Sequence, residues 1–364
     1  MKTIPIVQSV QTYYGQTLSS SQDLKTSSCC SAEALPDSAK EVAPLIADEI
    51  VSKFYGCGSP IPPLLEGCTV VDLGCGTGRD AYIMAKLVGQ NGQVIGVDMT
   101  PEQLNVALKY RDEQMSRFGF DRTNIDFRLG QIEDLKALDI ADNSVDVITS
   151  NCVLNLSGNK EAVFSEIHRI LKPGGELYFS DVFTARRVPE ALHNDPILLG
   201  ECLSGALYID DFRRLMEKVG LLDYRVVSSK PITLDDPKVY EKIGMVDFFS
   251  KTIRAFKIDS LEDRCEDYGQ IATYKGTLPQ SLHYFDLDSG TRFLSGKPQL
   301  VCGNTAAMLQ KSRYSPHFTV MGDTQTHFGP FDCGCNGAAN SVSPNSDNDK
   351  GNEEINSSSS GGCC

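Results

Sequence analysis

The sequence predicts an α/β fold, a doubly wound parallel sheet followed by a smaller C-terminal domain. Three observations carry this: strand and helix patterns alternate from residue 69 onward, a glycine-rich turn follows the first apolar run, and the second apolar run ends in an acid. On this reading residues 1–66 are a helical and irregular segment, 67–259 the sheet domain, 260–333 the smaller domain and 334–364 a tail. A chain of 364 residues with 41% hydrophobic content has enough apolar side chains for two cores.

Each element has its own signal. EVAPLIADEIVSKFYG, residues 41–56, repeats apolar residues at helical spacing and stops at glycine, so a helix is expected there, behind exposed loops at SSSQ and TSSCCSAEALPDS. VVDL opens the sheet and RDAYIMAKLV is its first helix. VIGVD is the second strand, and PEQLNVALKYRDEQMSRF is a helix with proline in its first turn. IDFRL and VDVITSN are the third and fourth strands, AVFSEIHRIL a helix, and a Pro-Gly-Gly turn leads into ELYFSDV as the fifth strand. DDFRRLMEKVG and LDYRVVS continue as helix and strand, and SKTIRAFKI closes the sheet. Beyond about 260 the pattern changes to short β-like pieces, QIATYKGTL, HYFDLD and FTVMG. The tail is Asn, Ser and Gly with few apolar residues; it is expected to be disordered, and it ends in GGCC.

A net charge of −14 argues against nucleic acid or an anionic membrane as partner, because phosphate contacts demand clustered Lys and Arg. A small-molecule partner is expected instead. No apolar stretch approaches a membrane-spanning length, and MKTIPIVQSVQTYYG lacks the blocks of a secretory signal, so the expectation is a cytoplasmic protein. No heptad or exposed strand demands an oligomer, and a monomer is expected.

The strand ending at Asp72 turns through Gly74, Gly76 and Gly78, which lets a ligand lie against bare backbone at the top of the sheet. A nicotinamide dinucleotide needs GxGxxG so that a helix N-terminus meets the pyrophosphate. Here the third slot holds Arg79 and the glycines run GxGxG. Such a loop looks like the S-adenosylmethionine site of Rossmann-like methyltransferases, where no phosphate is held. Asp98, about 20 residues on at the end of the second strand, is placed to accept hydrogen bonds from both ribose hydroxyls. Tyr82 and Lys86 form the YxxxK pair used by some dehydrogenases, but they sit on the helix leaving the glycine loop and read as an ordinary helical surface pair.

Thirteen cysteines are the second large signal. The odd total and scattered placement speak against a disulfide framework, and no CxxC pair offers the usual zinc spacing. Cys68, Cys75, Cys265 and Cys302 read as ordinary core residues. Cys152 directly follows the fourth strand, so its thiol emerges at the carboxyl edge of the sheet. Cys202 lies between the fifth strand and the next helix, on the connections that roof the same edge. Cys57 ends the N-terminal helix, and Cys29 lies in the loop before it.

QTYYGQ (11–16), FYGCG (54–58), DLGCGTGRD (72–80), VDMT (97–100), SNCVLNL (150–156), GGELYFSDV (174–182) and GECLSGALY (200–208) together resemble the arsenite S-adenosylmethionine methyltransferase family. The resemblance implies a Rossmann-like class I S-adenosylmethionine-dependent methyltransferase fold and four working cysteines, which fall on Cys29, Cys57, Cys152 and Cys202, with Cys30 adjacent to the first. It carries the donor site onto Tyr55, Gly56, Leu73, Gly74, Gly76, Arg79, Asp98, Met99 and Gln103. Ile132 and Glu133 suit the adenine as an apolar face and an acceptor, and Asn151 helps position the methionine end. Glu176 and Asp181 look like sheet-end and loop residues, and no role is assigned to them.

Trivalent arsenic is thiophilic, binds thiolates in a pyramid and keeps a lone pair at the apex. Held by Cys152 and Cys202, with a third sulfur from Cys57 or glutathione, it can aim that pair at a sulfonium methyl. Catalysis is then mostly proximity and orientation, on the order of 7 to 11 kcal/mol, and needs no general base. The implied substrates are arsenite, methylarsenite or their glutathione conjugates. Methyl transfer oxidises arsenic, and Cys29 with Cys57 are expected to return two electrons by forming a disulfide that thioredoxin or glutathione reduces. Two other readings compete. A carbon or oxygen methyltransferase would not need Cys152 and Cys202, and a thiol-rich sequestration protein, with DCGC and GGCC as traps, would bind arsenic without consuming the methyl donor.

Overall fold

A computed structural model of the chain describes residues 35–193 and 195–333. Short helices α1 (Asp37–Val42) and α2 (Asp48–Ser52) precede the first strand, joined by a 3-10 turn over Ala43–Leu45. The single helix expected over 41–56 is therefore broken: Pro44 lacks the N–H a continuing helix needs, and beyond Lys53 the chain leaves helical geometry. That departure puts Tyr55, Gly56 and Cys57 on a loop.

Strands β1 (Thr69–Leu73), β2 (Gln93–Asp98), β3 (Ile125–Leu129), β4 (Val145–Asn151), β5 (Leu171–Thr184), β6 (Leu207–Tyr208), β7 (Tyr224–Ile232) and β8 (Phe248–Phe256) form one sheet. Their order is β3-β2-β1-β4-β5-β8-β7, with β6 beside the end of β5, and β8 alone runs against both its neighbours. Alternation along the strands serves two layers: Val70, Val94 and Val147 face one, and Val71, Ile95 and Ile148 the other. The first layer holds α1, α2, α3 (Arg79–Val88), α4 (Pro101–Lys109) and α5 (Arg111–Phe118). The helix expected as one piece over 101–118 is divided into α4 and α5 at Tyr110, whose ψ of 2° leaves the helical region. The second layer holds α6 (Lys160–Ile170) and, beyond the short α7 (Pro196–Gly200), α8 (Ile209–Lys218). Phe164, Phe179, Phe183 and Phe212 interlock edge to face in that layer.

Tyr82 is buried rather than on the surface, and its hydroxyl donates to the Ala107 carbonyl at 2.6 Å, tying α3 to α4. The YxxxK pair is structural, but not as a surface pair.

After α9 (Pro237–Ile243) and β8 the chain builds a second core around Tyr274, Phe285, Phe293, Met308, Tyr314 and Phe318. Strand β9 (Glu266–Asp267) pairs with β15 (Gly329–Pro330), and β10 (Gln270–Tyr274) lies between β13 (Pro298–Val301) and β14 (Phe318–Met321). A hairpin of β11 (Tyr284–Asp286) and β12 (Arg292–Leu294) completes the strands. Helix α10 (Gly303–Lys311) was not foreseen among the β-like pieces; Cys302 caps it, its sulfur accepting from the Thr305 N–H.

Glu176 joins this core to the sheet. Its carboxylate takes Arg254 Nε at 2.5 Å, the Tyr314 hydroxyl at 3.1 Å and an ion pair with Arg313; Arg254 and Tyr314 are buried, Arg313 partly so. Burial raises the carboxyl's pKa, but Arg254 and Arg313 outweigh it and hold the group below its ordinary range.

Candidate active site

The sheet order reverses between β1 and β4, so the loops leaving those strands diverge and open a crevice at the carboxyl edge. A cavity lies there, open to solvent on one side. Gly74 and Gly76 adopt φ of 72° and 54°. A Cβ on Gly74 would lie 2.3 Å from Val153, whereas one on Gly76 would meet nothing nearer than Gln103 Oε1 at 3.8 Å and would occupy the cavity itself. Both positions therefore need glycine, one for packing and one to leave room for a ligand.

Asp98 accepts from the N–H groups of Gly76 and Thr100, each at 2.8 Å, which fixes its carboxylate on the cavity wall. Burial pushes its pKa up, against those donors. Met99, Gln103, Ile132 and Glu133 line the same cavity, and Ser157 donates to Glu133. Bare backbone, a fixed acid and an apolar face with an acceptor beside it fit the ribose and adenine of S-adenosylmethionine. Asp80 and Glu201 add further acidic side chains to the wall, which suits a sulfonium cation, and Asp72 stands beside them. Burial, then the charge of Asp80, pushes the Asp72 carboxyl up to about 8, although the Thr149 hydroxyl donates to it at 2.9 Å.

Asn151 holds the loop of Cys57 over this cavity. Its Oδ1 accepts from the N–H of Cys57 at 3.1 Å and of Gly58 at 3.2 Å, and its Nδ2 donates to the Gly58 carbonyl and to Asp80 Oδ2, both at 2.9 Å. Gly56 passes so near that a Cβ would lie 2.8 Å from Asn151. Tyr55 and Gly56 line the cavity; Leu73 and Arg79 do not. The Leu73 side chain is buried in the core, and its carbonyl accepts from Ser150 Oγ at 2.8 Å. Arg79 pairs with Asp80 at 2.7 Å and stacks 3.3 Å over the Phe54 ring, so both residues brace the loops rather than line the cavity.

Cys57, Cys152 and Cys202 come together. A disulfide links Cys57 and Cys152, with 5.9 Å between their Cα atoms, and Cys202 donates its S–H to the Cys152 carbonyl at 3.3 Å. The pairing expected for Cys57 was Cys29, which lies outside the described residues; in the folded chain the partner is Cys152, because Asn151 fixes both the strand end and the 57–58 loop. Cys152 and Cys202 line the cavity that Asp98 lines, and both sit at positive φ, 57° and 59°. Non-glycine residues occupy that region uncommonly, and strained backbone of this kind clusters at functional sites.

Asp181 reads from the sequence as a sheet-end or loop residue without an assigned role, yet it stands beside two of the sulfurs. One of its carboxylate oxygens lies within 4.8 Å of both Cys57 Sγ and Cys152 Sγ. Burial pushes its carboxyl up to about 6, against donation from the Val182 and Asn155 backbone N–H groups. Its position at the carboxyl end of β5, one strand from Cys152, was the available signal.

The geometry meets its relatives here. Residues 64–220 match the model of a methyltransferase domain family, and residues 268–364 match the arsenite methyltransferase C-terminal domain. An arsenite methyltransferase of Aquipseudomonas alcaligenes is 51% identical over 91% of this chain and 94% of its own. The chain belongs to the arsenite methyltransferase family. A human family member is 39% identical over 88% of this chain and 85% of its own. The crystal structure of an arsenic (III) S-adenosylmethionine methyltransferase from Chlamydomonas reinhardtii matches with a TM-score of 0.79 at 47% identity, covering 82% of this chain and 99% of that one. The first match runs from before β1 through α8, and the second takes in β10 through β15 of the C-terminal core. No helix of the described residues is long and apolar enough to cross a membrane.

Proposed function

We propose that this chain transfers the methyl group of S-adenosylmethionine to trivalent arsenic, taking arsenite, methylarsenite or their glutathione conjugates. The observation that carries the reading is the shared cavity: Cys152 and Cys202 stand on the wall that also presents Asp98, Gly74 and Gly76. The arsenite methyltransferases that resemble the chain over nearly its whole length support the same acceptor.

When bound, the donor supplies an electrophilic methyl on a sulfonium. Asp98 holds its ribose, Ile132 and Glu133 receive the adenine, and Gly74, Gly76, Met99 and Gln103 line the path between. Tyr55, Gly56 and Asn151 close the methionine end, with Leu73 and Arg79 bracing them from behind. Cys152 and Cys202 hold arsenic as thiolates, with Cys57 or a glutathione sulfur as third ligand, so the lone pair faces the methyl. Orientation supplies most of the rate, and no proton has to be removed from the acceptor.

Arsenic leaves methyl transfer formally pentavalent. A cysteine thiolate attacks an arsenic-bound sulfur; the S–S bond forms, the As–S bond breaks, and its electron pair stays on arsenic, restoring the trivalent state. The Cys57–Cys152 disulfide supports these two as the pair left oxidised. Cys29 passes the oxidation outward to thioredoxin or glutathione, which resets the thiols for the next acceptor. The reading takes a cytoplasmic monomer whose catalytic unit is residues 67–259, with 1–66 carrying redox cysteines, 260–333 as a separate small domain and 334–364 as its tail.

Incubation with arsenite, S-adenosylmethionine and a thioredoxin system, followed by speciation of arsenic, tests it. Methylated arsenicals with matching S-adenosylhomocysteine are expected. Bound arsenite without consumption of the donor would mark a sequestration protein, and donor turnover without methylated arsenic a different acceptor.

A further inference from the structure

Three cysteines outside the cavity also converge. The sulfurs of Cys265, Cys302 and Cys333 all lie within 4.8 Å of one another, Cys265 and Cys302 buried and Cys333 half-buried. They come from separate parts of the C-terminal core: Cys265 precedes β9, Cys302 caps α10, and Cys333 follows β15. The pairing of β9 with β15, extended by the Phe331 N–H donating to the Cys265 carbonyl at 2.8 Å, brings the first and last together. As separate positions in the sequence, Cys265 and Cys302 read as plain core residues; three sulfurs in mutual reach are not what apolar filling alone produces.

The surroundings favour thiolate at the buried centre. Cys302 Sγ accepts from the Thr305 N–H at 3.4 Å in the first turn of α10 and from Arg225 Nη2 at 3.7 Å. A helix N-terminus and a guanidinium are the groups that stabilise a thiolate. Arg225 is itself held by Asp223 at 2.8 Å and Asp288 at 3.3 Å, so its position is set by the fold. Among the described residues no carboxylate or histidine belongs to the cluster.

The geometry points to a second site, in which Cys265, Cys302 and Cys333 bind one thiophilic ion as a tris-thiolate, apart from the methyl-transfer cavity. With arsenite as the source, three S–H bonds and three As–O bonds give three As–S bonds and three waters, and arsenic stays trivalent. With a divalent cation such as zinc, the three thiols release their protons and a water completes the tetrahedron. Either ion would lock β15 and the start of α10 together.

The test uses the full chain with Cys29, Cys30, Cys57, Cys152, Cys202, Cys335, Cys363 and Cys364 changed to Ser, which leaves the cluster and the isolated Cys68 and Cys75. Metal analysis after purification, then arsenite titration with X-ray absorption, is expected to find one equivalent of either zinc or arsenic in a shell of three sulfurs, lost on adding Cys302→Ser. Zinc present from purification identifies the divalent source, and arsenic uptake by a zinc-free chain the metalloid. A chain that still binds S-adenosylmethionine by calorimetry yet holds neither ion overturns the site. If the eight-fold variant does not bind the donor, wild type is compared with Cys302→Ser alone: a fall of one equivalent supports the site, and equal stoichiometry overturns it. Arsenic methylation is not read in either arm, so a failure here is separate from a failure of the proposed activity.

Discussion

Cys202 Sγ lies 3.3 Å from the carbonyl oxygen of Cys152, and both residues hold left-handed backbone, at φ 59° and 57°. Two connections, one leaving β4 and one leading to β6, thus each bend their cysteine over the same cavity wall. Such backbone costs about 1–3 kcal/mol per residue, and the surrounding packing of Leu198, Leu203 and Val182 has to offset it.

Replacing Cys202 with Ser should lower arsenite methylation by about 100-fold or more, since a hydroxyl does not hold trivalent arsenic, while donor affinity stays within a few-fold. Calorimetry with S-adenosylmethionine and arsenic speciation check the two halves. Cys202→Gly should be equally inactive but more stable than Cys202→Ala by about 1 kcal/mol, because glycine accepts positive φ without the Cβ penalty.

Asn151→Ala should loosen the 56–58 loop. Two backbone N–H groups and one carbonyl lose their partner, a cost of about 1–3 kcal/mol for each group left buried without a hydrogen bond. Faster amide exchange at Cys57 and Gly58, with the sheet unchanged, is the expected signature. Slower closure of the Cys57–Cys152 disulfide should accompany it.

Asp72 links the cavity to pH. Its carboxyl is pushed up to about 8 in the fold, so between the ordinary carboxylate range and that value the folded chain holds a proton that the unfolded chain has released. The contribution of this group to stability therefore falls as pH rises across that window. Asp72→Asn should flatten the decline between pH 5 and pH 8 in denaturant titrations; an unchanged slope would mean the carboxylate is ionised in the fold.

Glu176 has the opposite sign. Arg254 and Arg313 hold its pKa below the ordinary range, so its contribution is complete above that range and is lost as pH falls through the folded value. Glu176→Gln leaves the buried guanidinium of Arg254 and the partly buried one of Arg313 short of a counter-charge and should destabilise the chain by about 3–5 kcal/mol, read from its unfolding midpoint.

The sheet was legible because VVDL, VIGVD and VDVITSN carry β-branched runs bounded by turn residues, and because the glycine loop and Asp98 mark its carboxyl edge. Residues 41–56 show where periodicity misleads: the apolar spacing was real, but Pro44, which lacks an N–H, divides the helix, and the chain leaves helical geometry again beyond Lys53, which frees the loop that carries Cys57. Asp181 and the Cys265, Cys302 and Cys333 cluster were not legible, since no local spacing announces residues that meet only through strand pairing. Leu73 and Arg79 lie inside a matched motif, yet side-chain direction, which the motif does not encode, turns them away from the cavity.

The most direct measurement is the anomalous scattering of arsenic in crystals of the thiol-reduced chain soaked with arsenite and S-adenosylhomocysteine. The account predicts a peak bonded to the sulfurs of Cys152 and Cys202, on the side facing the donor's sulfur. Arsenic found only elsewhere, with those two thiols unligated, would contradict it.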